Sequence, residues 1–146
     1  MMVSGYYEYP DWDLQREIQK RQELQAGNPD QNHLFPPENL LSIIEDMLQC
    51  IAFLQENKMI HGDIRPKYIS LLTTEQPNKL NDRLGDPYSP NKVQINHLKK
   101  GDPIYMAPVL FKSLALKKKS VRHNPYKSEV FSLGIVILET GLLKSV

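Results

Sequence analysis

Side chains that could carry chemistry are scattered thinly through this 146-residue sequence. His33, His97 and His123 share no helical or strand-like spacing, which argues against a metal centre built on them. Cys50 is the single cysteine, set among apolar neighbours, and reads as a packed thiol. One cysteine excludes an internal disulfide framework or a cysteine-based zinc site and is compatible with a reducing compartment. Lys117-Lys118-Lys119, with Arg122 and His123, could touch phosphate. A lone tract neutralises few charges, however, and the reading preferred is a solvated loop. Tyr88-Ser89-Pro90 offers a hydroxyl for modification, but Ser-Pro is also ordinary turn chemistry. The remaining polar run is His61-Gly62-Asp63-Ile64-Arg65-Pro66-Lys67-Tyr68-Ile69. On residue type alone, Asp63 is a loop aspartate bonded to nearby backbone N–H groups.

The elements that must position these groups are mostly helical. Val3, Tyr6, Tyr7 and Tyr9 suit a short strand ended by Pro10-Asp11. Leu14, Ile18 and Leu24 then mark one face of a modest helix from Asp11 or Asp13 to about Gln25, stopped by Ala26-Gly27-Asn28-Pro29-Asp30. A second helix opens at Pro36-Pro37-Glu38, because proline costs nothing in a first turn whose N–H groups are unpaired anyway. Leu40, Ile44, Met47, Leu48, Ile51 and Leu54 recur there at three- and four-residue steps, and Asn57-Lys58 closes it. From His61 to Asn96 periodicity is weak, with short strands at Ile69–Leu72 and Lys92–Ile95 between turns at Pro77-Asn78 and Gly85-Asp86-Pro87. Gly101 to Phe111 reads as an ordered loop leading into a short helix near Val109–Leu116. The last helix, Lys127 to about Thr140, carries apolar residues on every side, the signature of a helix buried all round.

Composition narrows the class. Eighteen basic and 17 acidic side chains leave +1, with 40% apolar and 24% charged residues, an ordinary balance for one globular domain. Near-neutral charge supplies no argument for a nucleic-acid partner. Val130 to Leu143 is the longest apolar run, but Ser132, Gly134, Glu139 and Thr140 interrupt it. A bilayer span takes about 20 apolar residues, so no membrane role is expected. The first ten residues lack the basic start and apolar centre of a secretion signal, and the expected location is intracellular and cytoplasmic.

Four blocks, in order, carry a family resemblance. His61 to Ile69 resembles the catalytic loop of eukaryotic protein kinases, His-Arg-Asp-Leu-Lys-Pro-Glu-Asn-Ile. Lys79-Leu80-Asn81-Asp82-Arg83-Leu84 resembles the strand that ends in Asp-Phe-Gly. Gly101-Asp102-Pro103-Ile104-Tyr105-Met106-Ala107-Pro108-Val109 is similar to Gly-Thr-Pro-x-Tyr-Met-Ala-Pro-Glu, the end of the activation segment. Tyr126-Lys127-Ser128-Glu129-Val130-Phe131-Ser132-Leu133-Gly134 resembles the start of the family's central helix, helix F. The resemblance implies a mainly α member of the α+β class: part of a kinase large lobe running from the hinge through helix F, with short β-hairpins around the catalytic loop. The hinge and helix D would occupy 1–27, helix E 36–57, the catalytic loop 61–69, the activation segment 82–109 and helix F 126–141. The small lobe and helices G–I would be absent.

Several positions depart from the family's pattern. Asp63 keeps the base carboxylate, and Arg65 stands for the lysine that contacts the transferred phosphate, a planar fork in place of a compact ammonium. Gly62 replaces an arginine that binds activation-loop phosphate in many kinases. Tyr68 stands where an asparagine ligates magnesium, and a neutral phenol is a poor ligand for that hard cation. Asp82 keeps the other metal carboxylate, followed by Arg83-Leu84 instead of Phe-Gly. Asp102 replaces a threonine facing the base, so an Arg65 bridge between Asp63 and Asp102 is expected to offset their repulsion. Val109 replaces the final glutamate of the activation segment. Glu129 replaces an aspartate that receives N–H groups from the catalytic loop, with His61 packed beside it. The expectation is a catalytically inactive, pseudokinase-type module acting in structure or protein–protein interaction within a larger assembly, with no cofactor and no metal. A partner, or a second copy, would cover Val130, Phe131, Leu133, Ile135, Val136, Ile137 and Leu138. The alternative is part of a longer Ser/Thr protein kinase that binds Mg-ATP, weakly here, and phosphorylates protein.

Overall fold

The computed structural model describes residues 12–73, 80–84, 105–118 and 121–144, with 72–73 and 80–84 described by backbone alone. The expected strands at Val3–Tyr9 and Lys92–Ile95, and the turns at Pro77-Asn78 and Gly85-Asp86-Pro87, lie outside these residues. Helix α1 spans Leu14–Gly27, α2 Pro37–Glu56, α3 Pro108–Ala115 and α4 Pro125–Leu142. A 3₁₀ turn, Pro66–Tyr68, leads into strand β1, Ile69–Thr73, which pairs with β2, Leu80–Leu84.

Asp13 starts α1 from an extended backbone, its carboxylate accepting the Arg16 N–H at 2.8 Å. The chain just before the helix is pinned to β1: Leu71 N–H donates to Trp12 O at 3.0 Å, and Asp13 bridges Ser70. Leu14 and Ile18 are buried, whereas Leu24 is exposed, so the apolar face of α1 is shorter than its spacing predicts. Arg21 ties the loop after α1 back to the helix. Its guanidinium pairs with Glu17 at 2.8 Å, donates to the carbonyls of His33 and Leu34, and lies 4.2 Å from the Phe35 ring centroid.

Helix α2 opens as its prolines dictate and buries Ile43, Met47, Ile51 and Leu54. Ile43 rather than Ile44 faces the core, and Leu48 is exposed. Leu48 and Ile44 sit one step off the 43–47–51–54 line, the physical reason that adjacent isoleucines are ambiguous by spacing. Lys58 closes the helix with φ 55°; its N–H bonds Gln55 O at 3.0 Å and Met59 N–H bonds Leu54 O at 2.8 Å. Helix α3 ends the same way, with Lys117 at φ 52° and the N–H groups of Lys117 and Lys118 on Leu114 O and Ser113 O.

The hairpin is antiparallel, Ile69 opposite Leu84 and Leu71 opposite Asp82. Leu14, Ile18, Phe35, Ile43, Met47, Ile51, Ile64, Ile69, Leu71, Leu133, Val136 and Leu143 form one core. The all-round burial expected for α4 is corrected here: the chain itself buries Leu133 and Val136, and Ile137 packs partly against the same core. Val130, Phe131 and Leu138 are exposed and Ile135 is half-buried, so Leu133 and Val136 drop out of the expected partner surface. The two are three residues apart and share one side of α4, which fixes which side faces in. No described helix is long and apolar enough to cross a membrane.

Candidate functional site

The site begins with backbone geometry forced by sequence. Pro66 disfavours helical angles in the residue before it, and Arg65 is extended, at φ −154° and ψ 159°. Tyr68 N–H then closes the 3₁₀ turn on Arg65 O at 3.0 Å. Burial of Ile60, Ile64, Pro66 and Ile69 anchors the loop on both sides of the polar residues. Gly62 has φ 84°, a conformation glycine reaches without a Cβ penalty.

That turn aims two successive N–H groups at one acceptor. His61 and Gly62 both donate to Glu129 Oε1 in the second turn of α4, Gly62 at 2.8 Å. Asn124 caps α4 by accepting the Lys127 N–H at 3.1 Å, which sets the phase that turns Glu129 inward. Glu129 is 5% exposed, and its Oε2 has no hydrogen-bond partner among the described residues. Burial pushes its carboxyl above the usual carboxylate range, opposed by the N–H groups of Gly62 and His61. His61 is itself buried, its Nδ1 accepting the Asp63 N–H at 3.3 Å.

Arg65 turns back on Asp63. Its Nε lies 2.6 Å and its Nη2 2.5 Å from Asp63 Oδ1, with both side chains mostly shielded from water. Tyr68 is half-buried. The Lys67 ammonium stands 4.7 Å from its ring centroid and the Arg65 guanidinium carbon 5.8 Å away. Asp82 lies in β2 opposite Leu71, and its side chain is outside the described set. Asp102 lies outside it as well, and of the expected Arg65 bridge only the Asp63 contact falls among the described residues.

A second buried carboxylate joins the same region. Tyr105 donates its hydroxyl to Glu139, one of the buried residues of α4. Burial foremost, then Glu139 as acceptor and as charge, holds the Tyr105 phenol well above its ordinary range, while Arg65 pulls the other way. By sequence Glu139 is only an interruption of an apolar run. A carboxylate on a helix otherwise apolar on every side was the available signal, since such a group needs a partner. Between the catalytic-loop segment, α3 and the start of α4 lies a cavity of about 70 Å³, lined among others by Asp63, Arg65, Tyr105, His123, Glu129 and Ser132. No three described His, Cys, Asp or Glu side chains are grouped so as to hold a metal ion.

No family model matches the chain. It is 33% identical over 109 residues, 75% of its length, to the membrane-associated tyrosine- and threonine-specific cdc2-inhibitory kinase wee-1.3 of Caenorhabditis elegans. The Caenorhabditis briggsae protein of the same name is 32% identical over 109 residues. Serine/threonine-protein kinase TIO of Arabidopsis thaliana is 31% identical over 107 residues, 71% of this chain. The chain spans 15% of the length of each nematode kinase and 7% of the plant one. Fold and similarity together define a protein-kinase-like chain, mainly helical, that corresponds to part of the kinase large lobe.

Proposed function

We propose that this chain is a kinase-like module of pseudokinase type, which does not transfer phosphate and serves as a structural or interaction component of a larger assembly. The observation that carries the reading is the state of Arg65. Its guanidinium is committed to Asp63 at 2.5–2.6 Å, so neither group faces a substrate phosphate or hydroxyl unencumbered. Tyr68 adds to it. Two cations flank that phenol, at 4.7 and 5.8 Å from the ring centroid, and like charge there opposes a magnesium ion. The Arg65–Asp63 pair and these two cations argue against a metal-bound nucleotide at this loop. Phosphoryl transfer depends on positioning and charge neutralisation, and removing one such contact typically costs about 3 kcal/mol of transition-state stabilisation.

The competing reading is a piece of a longer Ser/Thr kinase, favoured by Asp63, Asp82, Arg65 and the Ala107-Pro108 pair and by the activity in its relatives' names. Incubation of the chain with γ-labelled ATP, magnesium and a mixed protein substrate separates the two. The module reading expects no label on substrate or on the chain itself. Metal-dependent label that vanishes in Asp63→Asn would replace it with the enzyme reading.

A further inference from the structure

Charge is unevenly distributed along the chain. Between Asp102 and Glu129 there is no acidic residue and six cationic ones, Lys112, Lys117, Lys118, Lys119, Arg122 and Lys127. Only 12 of the 18 basic residues are left to face all 17 acidic ones elsewhere, so a net charge of +1 conceals a strongly basic segment. Lys112, Lys117, Lys118, Arg122 and Lys127 are exposed, and none of the five pairs with a carboxylate among the described residues. The left-handed cap at Lys117 ends α3 and carries Lys117 and Lys118 off its outer end. Val109 and Lys112 of α3 and its C-cap residue Leu116 follow at steps of three and four, one outward ridge that alternates apolar, basic and apolar. Val109 is 44% and Leu116 58% exposed. Leu110, His123 and Pro125 line the neighbouring cavity of about 70 Å³, so the basic segment borders a concavity.

We infer that the outer face of α3, with Lys117, Lys118 and Arg122 beyond it, docks an acidic protein segment that also carries apolar side chains. Charge complementarity selects the sign of the partner, and the Val109–Leu116 ridge beside the cavity gives it apolar contact. A peptide fits this surface better than a bilayer. Helix α3 has eight residues and two half-exposed apolar side chains on its ridge, far short of the long apolar face an interfacial helix buries. Nucleic acid fits worse still, since Phe111 is the one exposed aromatic of α3 and base stacking has little to rest on. The inference extends the module reading by naming its partner's chemistry. Its test reads binding alone, so a null result leaves the phosphate-transfer experiment standing.

The test titrates the full chain into a fluorescein-labelled peptide of alternating Glu and Leu, followed by anisotropy. Parallel titrations use the same peptide with Gln for Glu, vesicles of phosphatidylserine in phosphatidylcholine, and a single-stranded oligonucleotide. Saturable binding of the Glu/Leu peptide is expected, weakened about tenfold by Lys112→Glu with Lys118→Glu and weakened again by added salt. Lys112→Gln with Lys118→Gln, checked by circular dichroism, gives an intermediate loss and guards against misfolding of the reversed pair. Equal binding of the Gln peptide, binding to vesicles or oligonucleotide alone, indifference to both double variants, or no binding at all would each overturn the inference.

Discussion

The two sides of α4 have opposite fates. Its inner side holds Leu133, Val136 and Thr140 in the core and presents Glu129 to the catalytic-loop segment and Glu139 to Tyr105. Its outer side leaves Val130, Phe131, Leu138 and Leu142 exposed, each between 41% and 57%. The same helix thus acts as a scaffold on one side and as bare apolar surface on the other. Apolarity all round a helix does not say which half the chain can cover by itself; the position of the buried carboxylates does. Glu129 and Glu139 need partners, and those partners lie in the loops that α4 organises.

The largest effects should fall on the inner side. Leu133→Ala should destabilise the chain by about 3 kcal/mol in urea unfolding, because a fully buried leucine leaves a cavity. Phe131→Ala should change stability by less than about 0.5 kcal/mol, and equal losses at the two positions would erase the distinction between the sides. Glu129→Ala should cost about 2 kcal/mol, since it strips the acceptor from two N–H groups of the catalytic-loop segment. Glu129→Gln should stay within about 1 kcal/mol of the unaltered chain at neutral pH, because the amide oxygen can accept both.

The pH dependence has a definite sign. The Glu129 carboxyl is raised in the folded chain, so the fold binds that proton more tightly than the unfolded state does. Stability contributed at residue 129 therefore falls as pH rises from the ordinary carboxylate value through the raised one, and is regained on acidification. Subtracting the unfolding free energy of Glu129→Gln from that of the unaltered chain across this window isolates the slope. A difference that rises with pH would mean that the two N–H groups outweigh burial. At the helix ends the expected sign is reversed. Lys58→Gly should stabilise by about 1 kcal/mol, because a lysine held at φ 55° pays a Cβ clash that glycine avoids.

Much of the architecture could be read from the residues, and the misses have physical reasons. Pro36-Pro37 and Asn57-Lys58 delimit α2 correctly because proline and the helix-end geometry act locally. Ile43 against Ile44 could not be decided, since one residue turns a helix by only about 100° and tertiary packing chooses the phase. Asp63 and Arg65 are two residues apart, and their pairing follows from the extended backbone that Pro66 imposes on Arg65. Tyr105 and Glu139 are 34 residues apart and meet only through the tertiary fold. Nothing local marks that pair except a charge on an apolar helix.

On the proposed reading, the site built on Asp63, Arg65 and Tyr68 does not hold a metal-bound nucleotide. Isothermal titration calorimetry of ATP into the chain, with magnesium and then with EDTA, measures this directly. No saturable heat that depends on magnesium is expected. A stoichiometric isotherm that requires magnesium and disappears in Asp63→Asn would contradict it.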